Sequence, residues 1–221
     1  MRRASLVAFA LTLAVLPSAK LAITAWPAQF RTAQQAAVFA WPLLALWIAL
    51  AAAGYVLSLQ TGFPEAWDAR VPIFARTLLP LAAGLLLGAI SCGADAITHW
   101  TAIVAARMHL DSIHLPLPWS PLIYTAGGVF TDIVLRLFPL PLLLLPFRGS
   151  NKAYWPIAAV LSGVEGLSSF SLGPALGAYL FFENWLVNFT QAFFFRRAGF
   201  VACVLVRFSY YMVWHVLWPN V

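Results

Sequence analysis

Seven stretches of this chain hold about twenty mostly apolar residues each, the length an α-helix needs to cross the hydrocarbon of a bilayer. They lie near residues 4–26, 36–59, 73–97, 122–147, 155–173, 175–195 and 199–218. In lipid each such segment must satisfy its own backbone N–H and C=O groups. The expected fold class is therefore all-α: a polytopic membrane helical bundle of about seven transmembrane helices. Composition agrees, since 62% of the 221 residues are hydrophobic and only 9% are charged, against about a quarter charged in soluble domains. A disordered chain is excluded by the same numbers. Residues 1–221 read as one integral membrane domain. The net charge of +6 is scattered singly or in pairs. That pattern reads as membrane topology, and no nucleic-acid partner is expected.

The opening MRRASLVAFALTLAVLPSAK has the look of a secretory signal, but apolar character resumes with LAITAW. An uncleaved first transmembrane helix is expected. The third span is expected to bend near Gly93. The fourth contains Pro139, Pro141 and Pro146 and is expected to break after Phe138, because proline cannot donate to the helix. Residues 98–120, with three histidines and Pro116 and Pro118, should form a short interfacial helix and a loop outside the core. With the N-terminus inside, inner segments hold Arg2, Arg3, Arg70, Arg76, Arg148, Lys152, Arg196 and Arg197, and outer segments hold Lys20, Arg31 and Arg107. This bias predicts a cytoplasmic N-terminus, with the bacterial inner membrane as the expected location. Trp26, Trp41, Trp119, Trp155 and Trp218 fall near span ends, as an interfacial belt requires. Gly84 and Gly88 permit close helix approach. Cys92 and Cys203 lie in apolar segments and are expected to be packing residues.

Ionisable residues inside spans are few: Asp95, Asp132, Arg136, Glu165, Glu183 and Arg207, with His99 and His215 near span ends. Each should face the protein interior and have a partner. Asp132 and Arg136 are four apart and share a helix face. Glu165 and Arg207 lie near the middle of their spans and could meet by depth. Two readings stand side by side: a buried ion-pair cluster that fixes helix register, and a polar cavity in which carboxylates act on a substrate.

The stretch GGVFTDIVLRLFPLPLLL resembles the first motif of the CPBP family, the intramembrane proteases of the CAAX-prenyl-protease and bacteriocin-processing type. There a small-residue stretch leads into Glu-Glu-x-x-x-Arg. Thr131 and Asp132 stand at the two glutamate positions and Arg136 at the arginine. The segment FRRAGFVACVLVRFSYYMVWHVL resembles the family's closing helix. Arg207 and Tyr211 stand where that helix has a histidine and an Asn or Asp, and His215 fits a further histidine seen in some members. In the middle motif, VEGLSSF puts Glu165 at a phenylalanine and Ser169 at a histidine. The resemblance implies a CPBP-like core over 116–221, preceded by N-terminal spans over 1–115. It implies peptide hydrolysis by a glutamate and histidines, yet threonine cannot serve as the base and arginine stays protonated. The expected consequence is a permanent ion-pair cluster of Asp132, Arg136, Glu165 and Arg207, with Arg207 facing Asp132 or Glu165.

Asp95 and His99 are spaced i, i+4, and a hydrogen-bonded pair is expected there. His109, Asp111 and His114 read as a solvated loop. No metal site and no cofactor are expected. Asn184, Asn188 and Gln191 line one face of the sixth span, as a substrate groove or as interhelical hydrogen bonds. The expected function is a non-catalytic CPBP relative that binds or helps assemble an integral membrane partner. The alternative is a divergent intramembrane endopeptidase acting on a membrane-associated or lipidated peptide, with Asp132, Glu165 and His215 as candidate catalytic residues. A small-solute transporter is weaker, for want of an inverted repeat. Membrane lipid is the remaining expected partner.

Overall fold

The computed structural model describes residues 2–26 and 37–221, and its described residues contain no strand. Arg31 and the expected start of the second span at residue 36 lie outside the described residues. In chain order the helices are α1 (Arg2–Ala25), α2 (Trp41–Gln60), the short α3 (Ile73–Arg76), α4 (Leu78–Thr98), α5 (Trp100–Arg107), α6 (Ser120–Asp132), α7 (Pro139–Leu144), α8 (Asn151–Val164), α9 (Pro174–Ala198) and α10 (Phe200–Tyr211). A π-helical turn, Ile133–Leu137, joins α6 to α7, and a 3-10 segment, Glu165–Leu172, follows α8. A second π-helical stretch, Met212–Leu217, extends α10.

Among the described residues, five helical segments are long and apolar enough to cross a membrane: Arg3–Ala25, Trp41–Gln60, Ile73–Thr98, Ser120–Phe147 and Phe200–Asn220. The chain is an integral membrane protein with a helical fold. The fifth and sixth expected spans fall on α8 with its 3-10 extension and on α9, which are not among the five. Length excludes the first and composition the second. The regular helix of α8 ends at Val164, and α9 carries Glu183, Arg196 and Arg197 besides Asn and Gln.

Polar contacts tie the two ends of the bundle. At one end the Trp67 N–H donates to Ser5 Oγ at 3.1 Å. There Arg196 donates to the carbonyls of Thr61 at 3.0 Å and Gly149 at 2.6 Å, and to Asn151 Oδ1 at 2.8 Å. Gly199, at φ +89°, lies so close to Pro64 that a Cβ would sit 2.5 Å from its carbonyl oxygen. At the other end Trp26 packs on Trp119 with centroids 4.3 Å apart, and Trp218 Nε1 donates to Asp95 at 2.9 Å.

The fourth span is interrupted at Phe138, beside the expected break, and then continues as helix. The Phe138 N–H reaches back five residues to Ile133 O at 3.1 Å, and the helix resumes at Pro139. A π turn widens the backbone where the proline ring would meet the carbonyl four residues before it. Pro141 leaves the Leu137 carbonyl without a donor, and Gly54 of α2 packs against that carbonyl; a Cβ there would lie 2.5 Å from its oxygen. The third span is interrupted at Thr77 and not at Gly93. Pro80 explains the position, since it cannot donate to the Arg76 carbonyl.

The Gly84 and Gly88 pair forms the seam between α4 and α10. A Cβ on Gly84 would overlap Ser209 Oγ and the Val206 carbonyl, and one on Gly88 would come within 2.8 Å of Val213 Cβ. Gly93, on the same helix, has open space beside it. Gly84→Ala should therefore destabilise the protein by about 1–3 kcal/mol through overpacking. Gly93→Ala should be neutral or stabilising by up to about 1 kcal/mol from helix propensity. Thermal unfolding of both variants in detergent checks this contrast.

Candidate functional site

Five elements converge on one buried polar cluster. Asp132 closes α6, and the π turn behind it carries Arg136. Glu165 begins the 3-10 segment, where Gly166 and Ser168 follow and give little support to a continuing α-helix. Asn188 and Gln191, three apart, project from one face of α9. Arg207 and Tyr211, four apart, project from α10. Gly128 of α6 stands opposite, and a Cβ there would lie 2.9 Å from Arg207 Cδ, so glycine leaves room for the arginine stem.

Arg207 is the hub. Its Nη1 and Nη2 donate to the two Glu165 oxygens at 3.1 and 2.9 Å, a bidentate pair. Nη1 also donates to Tyr211 Oη at 2.7 Å, and Nη2 to Asn188 Oδ1 at 2.6 Å. Nε donates to Gln191 Oε1 at 3.1 Å and lies 3.3 Å from Asp132 Oδ1. Asp132 Oδ1 accepts from Arg136 Nη1 at 2.6 Å, and both its oxygens accept from Gln191 Nε2 at 2.9 Å. Arg136 Nε donates to the Asn188 carbonyl at 3.3 Å, and Asn188 Nδ2 to the Ser162 carbonyl at 3.1 Å. The Asp132 side chain is 0% exposed, whereas that of Glu165 is 26% exposed. The groove beside Arg207, lined by Tyr124, Gly128, Val204 and Tyr211 among others, is too narrow for a water molecule.

The other positions matched to catalytic motifs stand apart. Thr131 is half-buried on α6, and Ser169 lies four residues beyond Glu165, packed near Gly177. His215 stacks on Tyr124 with centroids 4.0 Å apart and meets the Tyr211 ring edge-on at 4.9 Å. Its Nδ1 lies 3.1 Å from Nδ1 of His114. The Tyr211 ring thus stands between the histidine pair and the ion pairs. In the loop before α6, burial lowers the pKa of His114 below its ordinary value.

The remaining intramembrane acids have separate partners. Asp95 does not pair with the His99 ring. Instead it accepts from the N–H and hydroxyl of Thr101, both at 2.9 Å, and from Trp218. The reason is local: His99 takes a left-handed conformation that ends α4, and its side chain is exposed. Glu183 accepts from Ser91 and from Tyr210. Asn184 turns to its own helix, donating to Leu180 O at 2.8 Å. Cys92 and Cys203 are free. No group of three or more His, Cys, Asp or Glu side chains is placed to hold a metal among the described residues.

No family model matches this chain, and neither a curated protein nor a solved structure does.

The bridging role of Gln191 is the feature that sequence reasoning left open. Its signal was the three-residue spacing from Asn188 within an apolar span. Arg207→Ala would strand Asp132 and Glu165 and should destabilise the protein by about 3–5 kcal/mol, as removing one partner of a buried pair does. Arg207→His should be milder. Both are measured by unfolding in detergent with retained helicity as the readout.

Proposed function

We propose that this chain is a non-catalytic member of the CPBP type, built to bind or help assemble an integral membrane partner. The observation that carries the reading is the state of Asp132. Its carboxylate is dry, and its oxygens are engaged by Arg136, Gln191 and Arg207. A general base needs a free lone pair facing a water or a scissile bond. Asp132 faces neither, because its side chain is fully buried, and Arg207 stands where the family has a histidine.

In this reading the chain crosses the membrane seven times, with α8 and α9 as the two crossings of lower hydropathy. The contacts at the two ends support that count. Ser5, the 61–67 connection, Gly149 and Gly199 meet at one end; Trp26, Trp119 and Trp218 lie towards the other. The eight-to-three excess of basic residues at the first end makes it cytoplasmic, in a bacterial inner membrane.

Glu165 favours a second reading, an endopeptidase acting on a membrane-associated or lipidated peptide. Its carboxylate is partly exposed, although Arg207 holds both oxygens.

Gentle purification of the tagged protein from its own membrane separates the two. The termini of every co-purifying chain are read by mass spectrometry. The assembly reading expects a stoichiometric, uncut membrane partner that is retained by Asp132→Asn/Arg136→Gln, which removes one charge of each sign. Clipped chains that become full length in Glu165→Gln would instead establish cleavage.

A further inference from the structure

We propose that the cleft beside Arg196 and Arg197 binds the phosphate headgroup of an anionic phospholipid, one of whose acyl chains lies along a row of aromatic rings on α9. The cleft, of about 310 Å³, is lined by Gly62, Asn151, Trp155, Arg196 and Arg197. It lies at the end of the bundle that carries Ser5 and the 61–67 connection.

Arg196 is held in place by the fold. Its Nε, Nη1 and Nη2 donate to Asn151, Thr61 and Gly149, and its guanidinium lies 4.9 and 5.4 Å from the ring centroids of Phe63 and Tyr154. A guanidinium has five N–H groups, so these bonds leave donors for an acceptor in the cleft. None of its three acceptors is a carboxylate, so its charge is not cancelled. Arg197 is exposed, with its guanidinium 5.6 Å from the Phe193 centroid. Arg148 and Lys152, both exposed, flank Asn151 in sequence. None of these four cations forms an ion pair among the described residues. No carboxylate lines the cleft, and the acids of that end, Glu65 and Asp68, meet Tyr55 and Arg70. Like charges gathered in this way attract an anion, and basic residues at a membrane surface attract anionic lipid. Guanidiniums match the oxygens of a phosphate.

What adjoins the cleft selects a lipid over a free anion. Trp155 and Arg197 both line the cleft and both meet Phe193. From there a row of rings runs along α9. Trp155 packs on Phe193 at 6.0 Å and on Phe189 at 6.1 Å, Phe189 stacks on Trp185 at 5.0 Å, and Trp185 stacks on Phe182 at 6.1 Å. Positions 182, 185, 189 and 193 share one helix face. Phe182 and Phe193 are exposed, and Trp155, Trp185 and Phe189 are half-buried. The Trp185 indole N–H is satisfied by the Ala159 carbonyl of α8 at 2.9 Å, so the row presents apolar surface. From Phe182 to Phe193 the helix rises about 16 Å. Half the hydrocarbon thickness of a bilayer is about 15 Å. A headgroup held in the cleft therefore sets its acyl chain against a row of matching length. The depth of this row rests on the reading of α9 as a membrane crossing; the cleft does not.

The test titrates the full-length protein, in an uncharged detergent, with phosphatidylglycerol, phosphatidylcholine or inorganic phosphate, and reads binding by native mass spectrometry. Phosphatidylglycerol is expected to bind more tightly than phosphatidylcholine. Arg197→Gln should weaken it by about tenfold, the loss expected for a charge-assisted hydrogen bond. Phe182→Ala/Phe193→Ala should also weaken it, through lost apolar contact. Both variants change exposed side chains, and unchanged thermal unfolding without lipid verifies the fold. Arg107→Gln, at the opposite end, should bind as the parent does. Undiminished binding by Arg197→Gln would overturn the proposal. So would equal loss in Arg107→Gln, equal binding of phosphatidylcholine, or occupancy by inorganic phosphate at the concentrations where the lipid binds. Undiminished binding by the phenylalanine variant would overturn the acyl-chain row; with Arg197→Gln still weakened, the fault would lie in the depth given to α9 and not in the cleft.

Discussion

Two guanidiniums and two carboxylates share one nearly dry volume in this bundle, and the surrounding helices are arranged around that fact. Arg136 and Arg207 balance Asp132 and Glu165, so the cluster is neutral as a unit. Neutrality alone would not suffice, because taking each ion from water costs several kcal/mol even after relaxation. The remaining donors and acceptors must also be met. Arg207 meets this demand because a guanidinium presents five N–H groups in a fixed plane. It bonds to α9 through Asn188 and Gln191, to the end of α8 through Glu165, and to Tyr211 on its own helix. Lysine, with one charged nitrogen on a flexible stem, could not hold these directions at once.

The irregular turns of the fold lie beside these charges. The π turn starts one residue after Asp132, the 3-10 segment starts at Glu165, and the second π stretch starts one residue after Tyr211. Departures from the α-helix are tolerated at membrane depth where protein, and not lipid, surrounds the backbone. The prolines after Phe138 act in the same place. Their missing N–H groups free carbonyls, one of which is covered by Gly54. Small residues thus serve two different ends here: Gly84 and Gly88 bring α4 onto α10, while Gly128 makes space for a charged side chain.

The helical membrane fold was legible because length and hydropathy act locally: about twenty apolar residues leave few alternatives. The Asp132–Arg136 pair was legible for the same reason, since both lie on one turn. The approach of Glu165 to Arg207 was accessible only through depth within each span. Gln191 was not assignable, because its two ends contact residues 59 and 16 positions away in sequence. The break expected after Phe138 takes the form of a π turn with a restart at Pro139. Proline forbids one hydrogen bond, but a π turn offers the chain another way onward. Asp95 was misjudged, because its i+4 neighbour ended the helix and its partners came from the next helix and the distant C-terminal segment.

A charge cluster whose bonds are already made and a site open to exchange imply different uses. Among the described residues, no side-chain N or O atom of the cluster is buried without a partner. A site that must exchange protons or admit a substrate needs groups whose bonds can be remade. The Asp132–Arg207 cluster has its bonds already made, which suits it to fixing the register of α6, α9 and α10. Recognition of a partner is therefore more naturally sought on the outer faces of the bundle than at its charged centre.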